Sequence, residues 1–199
     1  RHGGCRLRFD TDGRLLIGPG PEAPRQVSRY GRDLTGLVAV LAGHAHSDHH
    51  DPALLMHHSW VTQSPLEVVG PEPVIAWSRQ WLDGDQAAVS FRSVTAGEST
   101  DVAGYRVTVL AANHEAFGEA CCYLIEDEPL TLVDVGPNSG KALDELNAQL
   151  GHHGHSIDDL ELIIVTHQHI DHIGLVEIAV QHSGAEVAAL GIEAERVAN

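Results

Sequence analysis

The sequence predicts a mixed α/β fold, and three observations support that prediction. Strand and helix signals alternate along the chain in one order, and the order then repeats. Each series reaches an apolar run, "LVAVLA" and then "LELIIV", of the kind that forms a strand buried on both faces. One residue after each run comes the pattern H-x-H-x-D-H, at residues 44–49 and again at 167–172.

The elements follow from local chemistry. "CRLRF", a Thr-Asp-Gly turn and "RLLIG" read as a hairpin, because Asp-Gly supplies the backbone geometry of a tight turn. A short helical stretch in "PRQVSRYGRD" leads to the first buried strand. After the first histidine loop, Asp51-Pro52 reads as an N-cap with proline in the first turn, opening a helix through "ALLMHH". "LEVV" is then a strand, "PVIAWSRQWL" a helix, and "AVSFRSV" and "YRVTVLA" strands, the last running into "ANHE". In the second half "CCYLIE" and "LTLVDV" are strands joined through Asp127-Glu128-Pro129. "SGKALDELNAQL" shows helical spacing and is expected to end at Gly151. "LELIIV" is the second buried strand, "IGLVEIAVQH" a helix stopping at Gly184, and "AEVAAL" a final strand. His44 and His167 are 123 residues apart with matching elements on either side, so a half-domain is repeated. No low-complexity linker separates the halves, which argues against two freely tumbling modules.

Composition narrows the class. A chain of 199 residues with 43% hydrophobic content can bury one sizeable core. No apolar run approaches the ~18 residues that span a bilayer, and no signal peptide is legible. The chain opens at Arg1 without a methionine, so the true start is expected to be missing and the absent signal carries little weight. Twenty-eight acids against twelve bases give a net charge of −16, which repels a polyanion and disfavours nucleic acid as a partner. The cysteines are Cys5, Cys121 and Cys122; an odd count with two adjacent residues disfavours a disulfide framework and suits a cytoplasmic location. Cys121 and Cys122 are read as buried packing on a strand.

The fifteen histidines are the compositional anomaly. Imidazole and carboxylate are good ligands for divalent metals, and neutral histidine is the commonest protein ligand for zinc. Histidines two apart in a strand-end loop can converge on one ion, and the Asp-His pair that follows can turn to a second. Ions ~3.5–4 Å apart can share a bridging hydroxide and polarise the electrophile it attacks. His152, His153 and His155 in "GHHGHS" are read as a solvated glycine-rich loop, His57 and His58 as surface or supporting residues. Trp60, Trp77 and Trp81 are read as core or sheet-covering residues.

The stretch from "LTLVDVG" to "LELIIVTHQHIDHIG" resembles the amino-terminal half of the metallo-β-lactamase superfamily. "RLLIGPGP" to "LVAVLAGHAHSDHHDP" resembles the same half in its phosphodiesterase-like branches. The resemblance implies a four-layer αββα sandwich, expected to be incomplete at one or both ends, with metals at one edge of its sheets. It implies one or two zinc ions, with iron or manganese as alternatives. The activity implied is hydrolysis of an ester, thioester or lactone by a metal-bound hydroxide, on a small-molecule substrate and away from membranes. The alternatives are a phosphodiesterase of the same superfamily, an iron-dependent redox member, and a non-catalytic metal-binding module. Residues 1–117 and 118–199 read as two half-repeats of one region, or as two successive domains with the second truncated.

Carried onto this chain, the family's ligand pattern falls on His44, His46, Asp48 and His49 in copy one and on His167, His169, Asp171 and His172 in copy two. Asp48 and Asp171 would bind a second metal and orient the hydroxide, which makes them the catalytic candidates. In the family a third histidine and a bridging aspartate come from later strands. His114 in "ANHE", 65 residues after His49, and Asp134, 20 residues later, hold those positions for copy one. His172 or a neighbour would supply the last ligand. Asp134 has a second possible role, as the strand-end aspartate of copy two. Copy one departs from the pattern at Gly18, where the strand usually ends in aspartate, at Gly43, where threonine or serine is usual, and at His50-Asp51, which replaces a glycine.

Overall fold

The computed structural model describes residues 7–8, 14–21, 23–29, 31, 33–47, 49–82, 88–114 and 118–189. The chain divides into two units, Arg1–Thr95 and Ala96–Asn199, and each holds one sheet with its helices, the expected mixed α/β class.

In the first unit the strands are β1 (Leu7–Arg8), β2 (Leu15–Ile17), β3 (Ala39–Leu41), β4 (Leu66–Gly70) and β5 (Val89–Ser93), and they lie in that order. β1 is antiparallel to β2, with Leu7 opposite Ile17, while β2 to β5 are all parallel. The expected turn at Asp12-Gly13 lies outside the described residues, as does Cys5. Parallel neighbours require crossover connections. Here these carry α1 (Ala23–Arg29), α2 (Pro52–Thr62) and α3 (Glu72–Trp81). Asp51 caps α2 as its sequence predicts, its carboxylate accepting from Ala53 N at 3.0 Å. Every residue of β2 and β3 is buried, which is why their sequences are apolar without alternation. Leu16, Val40 and Val68 from the sheet pack with Leu54, Leu55, Val74 and Ile75 from α2 and α3.

In the second unit the strands are β6 (Ser99–Val102), β7 (Tyr105–His114), β8 (Gly118–Ile125), β9 (Thr131–Val133), β10 (Leu162–Val165) and β11 (Glu186–Ala189). Their order is β11-β10-β9-β8-β7-β6, antiparallel from β6 to β9 and parallel from β9 to β11. The helices are α4 (Gly140–His152), the single turn α5 (Ile170–Ile173) and α6 (Val176–Ser183). Leu124, Leu132, Ile163 and Val165 pack with Leu146, Leu150, Leu175 and Ala179. Cys121 and Cys122 are buried in β8 with free thiols, as expected of packing residues. Burial pushes the Cys122 thiol well above its usual range, with Asp134 adding to the effect.

Several boundaries differ from those the sequence suggests. β6 escapes sequence reading because "STDV" has one buried apolar residue, Val102; the edge strand exists through its pairing with β7. α4 runs past Gly151 to His152, and the left-handed turn falls at Gly154, φ +83°. α6 does stop at Gly184, φ +72°. β7 extends to His114, which is therefore a strand residue.

The strand pairs that lead to the two histidine loops share one backbone register. Leu15 lies opposite Ala39 and Ile17 opposite Leu41; in the second unit Thr131 lies opposite Leu162 and Val133 opposite Ile164. The next residue makes the same bond in each copy: Gly18 N donates to Leu41 O at 2.7 Å, and Asp134 N donates to Ile164 O at 2.9 Å. Both take left-handed backbone, φ +50° and +58°. The two histidine loops leave the carboxyl ends of β3 and β10, where open parallel sheets place their ligands.

Candidate metal-binding loops

Copy two is organised around Asp134. Its Oδ1 accepts from Thr166 N at 2.8 Å, and its Oδ2 accepts from Thr166 Oγ1 and His172 Nδ1, each at 2.7 Å. All three residues are buried. Thr166 Oγ1 also lies 3.1 Å from His167 Nδ1. A hydroxyl has one hydrogen, and this one goes to Asp134, so His167 Nδ1–H must be the donor in that second bond. In both His167 and His172 the Nδ1 edge is thus committed to the protein. Nε2 is then the nitrogen with which each ring would ligate an ion. The ring centroids of His167 and His172 are 4.2 Å apart, and those of His167 and His169 4.3 Å.

Electrostatics act on the same rings. Burial alone would lower His172, but the Asp134 carboxylate and hydrogen bonds to Asp134 and Asp171 outweigh it and hold the ring up at about 10. Asp171 Oδ2 is 3.2 Å from His172 Nε2. These interactions favour the protonated ring, and ligation through Nε2 would require loss of that proton. The second half of the motif is helical, not loop: His169 is the N-cap of α5, which carries Asp171 and His172. Gly174 follows because nothing larger fits there. A Cβ at that position would stand 2.2 Å from Asn138 N and 2.6 Å from the Pro137 carbonyl carbon.

Copy one has the same backbone course with different fastenings. Gly18 and Gly43 stand where Asp134 and Thr166 stand in copy two, so that side-chain clamp is absent. His44 and His49 are buried and His46 is half-buried. His44 Nε2 lies 3.1 Å from His46 Nδ1, and the rings of His44 and His49 are 3.9 Å apart. Two nitrogens bound to one tetrahedral zinc at ~2.0–2.1 Å are about 3.4 Å apart, so the His44–His46 pair fits a shared ion closely. The amides of His49 and His50 both donate to His46 O, at 2.9 and 3.0 Å. His50 is fully buried, and its Nε2 is 2.6 Å from Ser78 Oγ on α3. Ser78 Oγ donates to Val74 O at 2.8 Å and therefore accepts from His50 Nε2–H. Burial lowers the His50 ring to about 4, so it is neutral. Asp48 lies outside the described residues.

In the first unit the structure thus gathers His44, His46 and His49, and in the second Asp134, His167, His169, Asp171 and His172. His114 ends β7 opposite Gly118, and its side chain lies outside the described residues. His50 stood out in the sequence only as a departure from the motif, and its bond to Ser78 carried no signal, because a buried histidine–serine bond across 28 residues leaves no pattern. Trp60 and Trp81 are 58% and 47% exposed and so are not core residues; Trp77 is half-buried, its ring inclined at 77° to that of His50. His57 is exposed and His58 buried. Among the described residues no helix is long and apolar enough to cross a membrane.

Two family models match the chain: "Beta-lactamase superfamily domain" over residues 13–129 and "Metallo-beta-lactamase superfamily" over residues 117–196. A curated relative, the probable metallo-hydrolase YqjP of Bacillus subtilis (strain 168), is 38% identical over 63 residues. That match takes in 32% of this chain and 20% of the relative, so the chain spans about a fifth of its length. The structure is similar to the metallo-beta-lactamase fold protein YhfI from Bacillus subtilis, at TM-score 0.66 and 15% identity, over 94% of this chain and 83% of that one. It is also similar to the short form of human tRNase Z, at TM-score 0.64 and 13% identity, over 94% and 89% of the two chains. At these identities the likeness shows the fold alone.

Proposed function

The chain belongs to the metallo-β-lactamase superfamily, and from that premise we propose that it is a zinc-dependent hydrolase whose ligands come from its H-x-H-x-D-H loops. The observation that carries this reading is the preparation of the copy-two rings. Asp134 and Thr166 turn the Nδ1 edges of His167 and His172 inward and present Nε2 for coordination. In copy one the 3.1 Å approach of the His44 and His46 nitrogens supports the same role. Asp48 and Asp171 are assigned to a second ion and to holding the attacking water by accepting its hydrogen bond. His114 and Asp134 are further candidate donors. When bound, a divalent ion would supply an acidified water and a Lewis acid for the substrate's carbonyl or phosphoryl oxygen.

The substrate proposed is a small ester, thioester or lactone, because a net charge of −16 repels a polyanion. The fold likeness to tRNase Z supports a second reading, hydrolysis of a phosphodiester. The matching registers of β2–β3 and β9–β10 support reading residues 1–117 and 118–199 as half-repeats. The buried free thiols of β8 support a reducing cytoplasmic setting.

The test is to strip the protein with a chelator, reload it with zinc, and assay p-nitrophenyl acetate, a thioester, a lactone and bis(p-nitrophenyl) phosphate. Zinc-restored turnover of an acyl substrate is expected. Turnover of the phosphodiester alone would replace the first reading by the second, and bound zinc without any turnover would leave a metal-binding module.

A further inference from the structure

Copy one lacks the Asp–Thr clamp that orients copy two, yet its loop follows the same backbone course. Something else must hold it. The position that follows the motif is Ile173 in copy two, an apolar residue packed on the core of its unit, and His50 in copy one. His50 and Ser78 have no exposed surface, and their bond of 2.6 Å ties the end of the loop to the middle of α3. The Ser78 hydroxyl is itself anchored on Val74 O, so the chain of bonds ends on the helix backbone. His50 N and His49 N meet on His46 O, which couples the anchored ring to two of the candidate ligand residues through one short backbone turn. Asp51 continues the fastening by capping α2.

We infer that His50 and Ser78 are positioning residues for the copy-one loop, replacing from its far side the strand-end clamp that Gly18 and Gly43 cannot form. Neither side chain is assigned a ligand role. They fix the turn from which His46 and His49 project, and an ion then meets rings already ordered. The effect on metal affinity rests on the reading of His44, His46 and His49 as ligands; the effect on loop order does not. Removing the supporting partner of a ligand typically lowers metal affinity 10–100-fold.

The experiment uses the whole chain and two readouts. Hydrogen exchange on the metal-free protein follows the amides of His49 and His50, with Glu67, whose amide bonds to Val38 O between β3 and β4, as control. Competition with a chromophoric chelator gives the zinc affinity. Ser78→Ala and His50→Leu are each expected to speed exchange of the two loop amides at least tenfold and leave the Glu67 amide unchanged. Each should lower zinc affinity tenfold or more, and the double variant should lose little further, because both changes break one bond. His50→Gln, which keeps a donor near the Nε2 position, should restore both readouts to within about threefold of the unaltered protein. Unchanged loop exchange in Ser78→Ala, equal acceleration at Glu67, or additive losses in the double variant would each overturn the inference. If His46→Ala leaves zinc affinity intact, the ligand reading falls on its own, and the exchange data still decide whether His50 and Ser78 order the loop.

Discussion

Asp134 is the residue on which most of the second loop depends. Its two oxygens accept three hydrogen bonds, and its backbone holds φ +58°, a conformation that alanine adopts at a cost and asparagine more readily. Asp134→Ala leaves the buried His172 ring and the Thr166 amide without their acceptor. It is expected to destabilise the metal-free protein by about 3–5 kcal/mol in denaturant unfolding, the usual cost of breaking a buried charged pair. Asp134→Asn, which keeps the Oδ1 acceptor, should cost roughly half as much; no loss at all would mean that the carboxylate charge does not matter. His58 gives a pH-dependent case. Burial lowers its ring below the ordinary 6.5, against a smaller raising effect from the Leu34 backbone. The unfolded chain therefore takes up the proton first, so this contribution is complete above about pH 6.5 and is lost as pH falls below it. Between pH 7 and 5 the unaltered protein should lose more unfolding free energy than His58→Gln; parallel pH curves would rule this out. At this scale the sequence offered candidate ligands by residue type and spacing. It could not show the Asp134–Thr166 bond, because its partners are 32 residues apart and meet only when β9 pairs with β10.

At the scale of elements, the two β-α-β passages around the loops were legible because burial makes their strands apolar throughout and their helices periodic. The boundaries were not. Gly151 looks like a helix end, but the chain turns left-handed at Gly154, and α5 begins inside a motif that reads as loop. Element packing is tight at Gly174, since the segment after β9 passes against it at backbone distance. Gly174→Ala is expected to cost about 1–3 kcal/mol or more, as overpacked sites do, and to appear as a lowered midpoint of thermal unfolding. Gly151→Ala, with nothing within 4 Å of the added carbon, should be neutral or slightly stabilising. If both variants melt alike, packing at Gly174 does not constrain the side chain there.

For the whole molecule the prediction concerns metal. An ion that binds only the folded chain stabilises it by about 2.7 kcal/mol at a hundredfold excess over its dissociation constant. Chelation should therefore lower the unfolding midpoint and zinc restore it. His46→Ala and His169→Ala should each reduce zinc per chain measured by elemental analysis, and the double variant should hold none. A double variant with full zinc content would show that the ion sits elsewhere.

Taken alone, the sequence determined the kind of protein this is. Apolar runs ending in H-x-H-x-D-H dictate buried strands that deliver histidines to their carboxyl ends, and that depends only on residue type and local spacing. It also showed that the H-x-H-x-D-H motif is doubled, because both copies are written in residue order. Only the tertiary structure decided how each copy is held. The left-handed strand-end position is shared by Gly18 and Asp134, but one carries a side chain that clamps its loop and the other carries none. Which distant groups then take over, Thr166 for one loop and Ser78 for the other, follows from strand pairing and helix packing that no local pattern records.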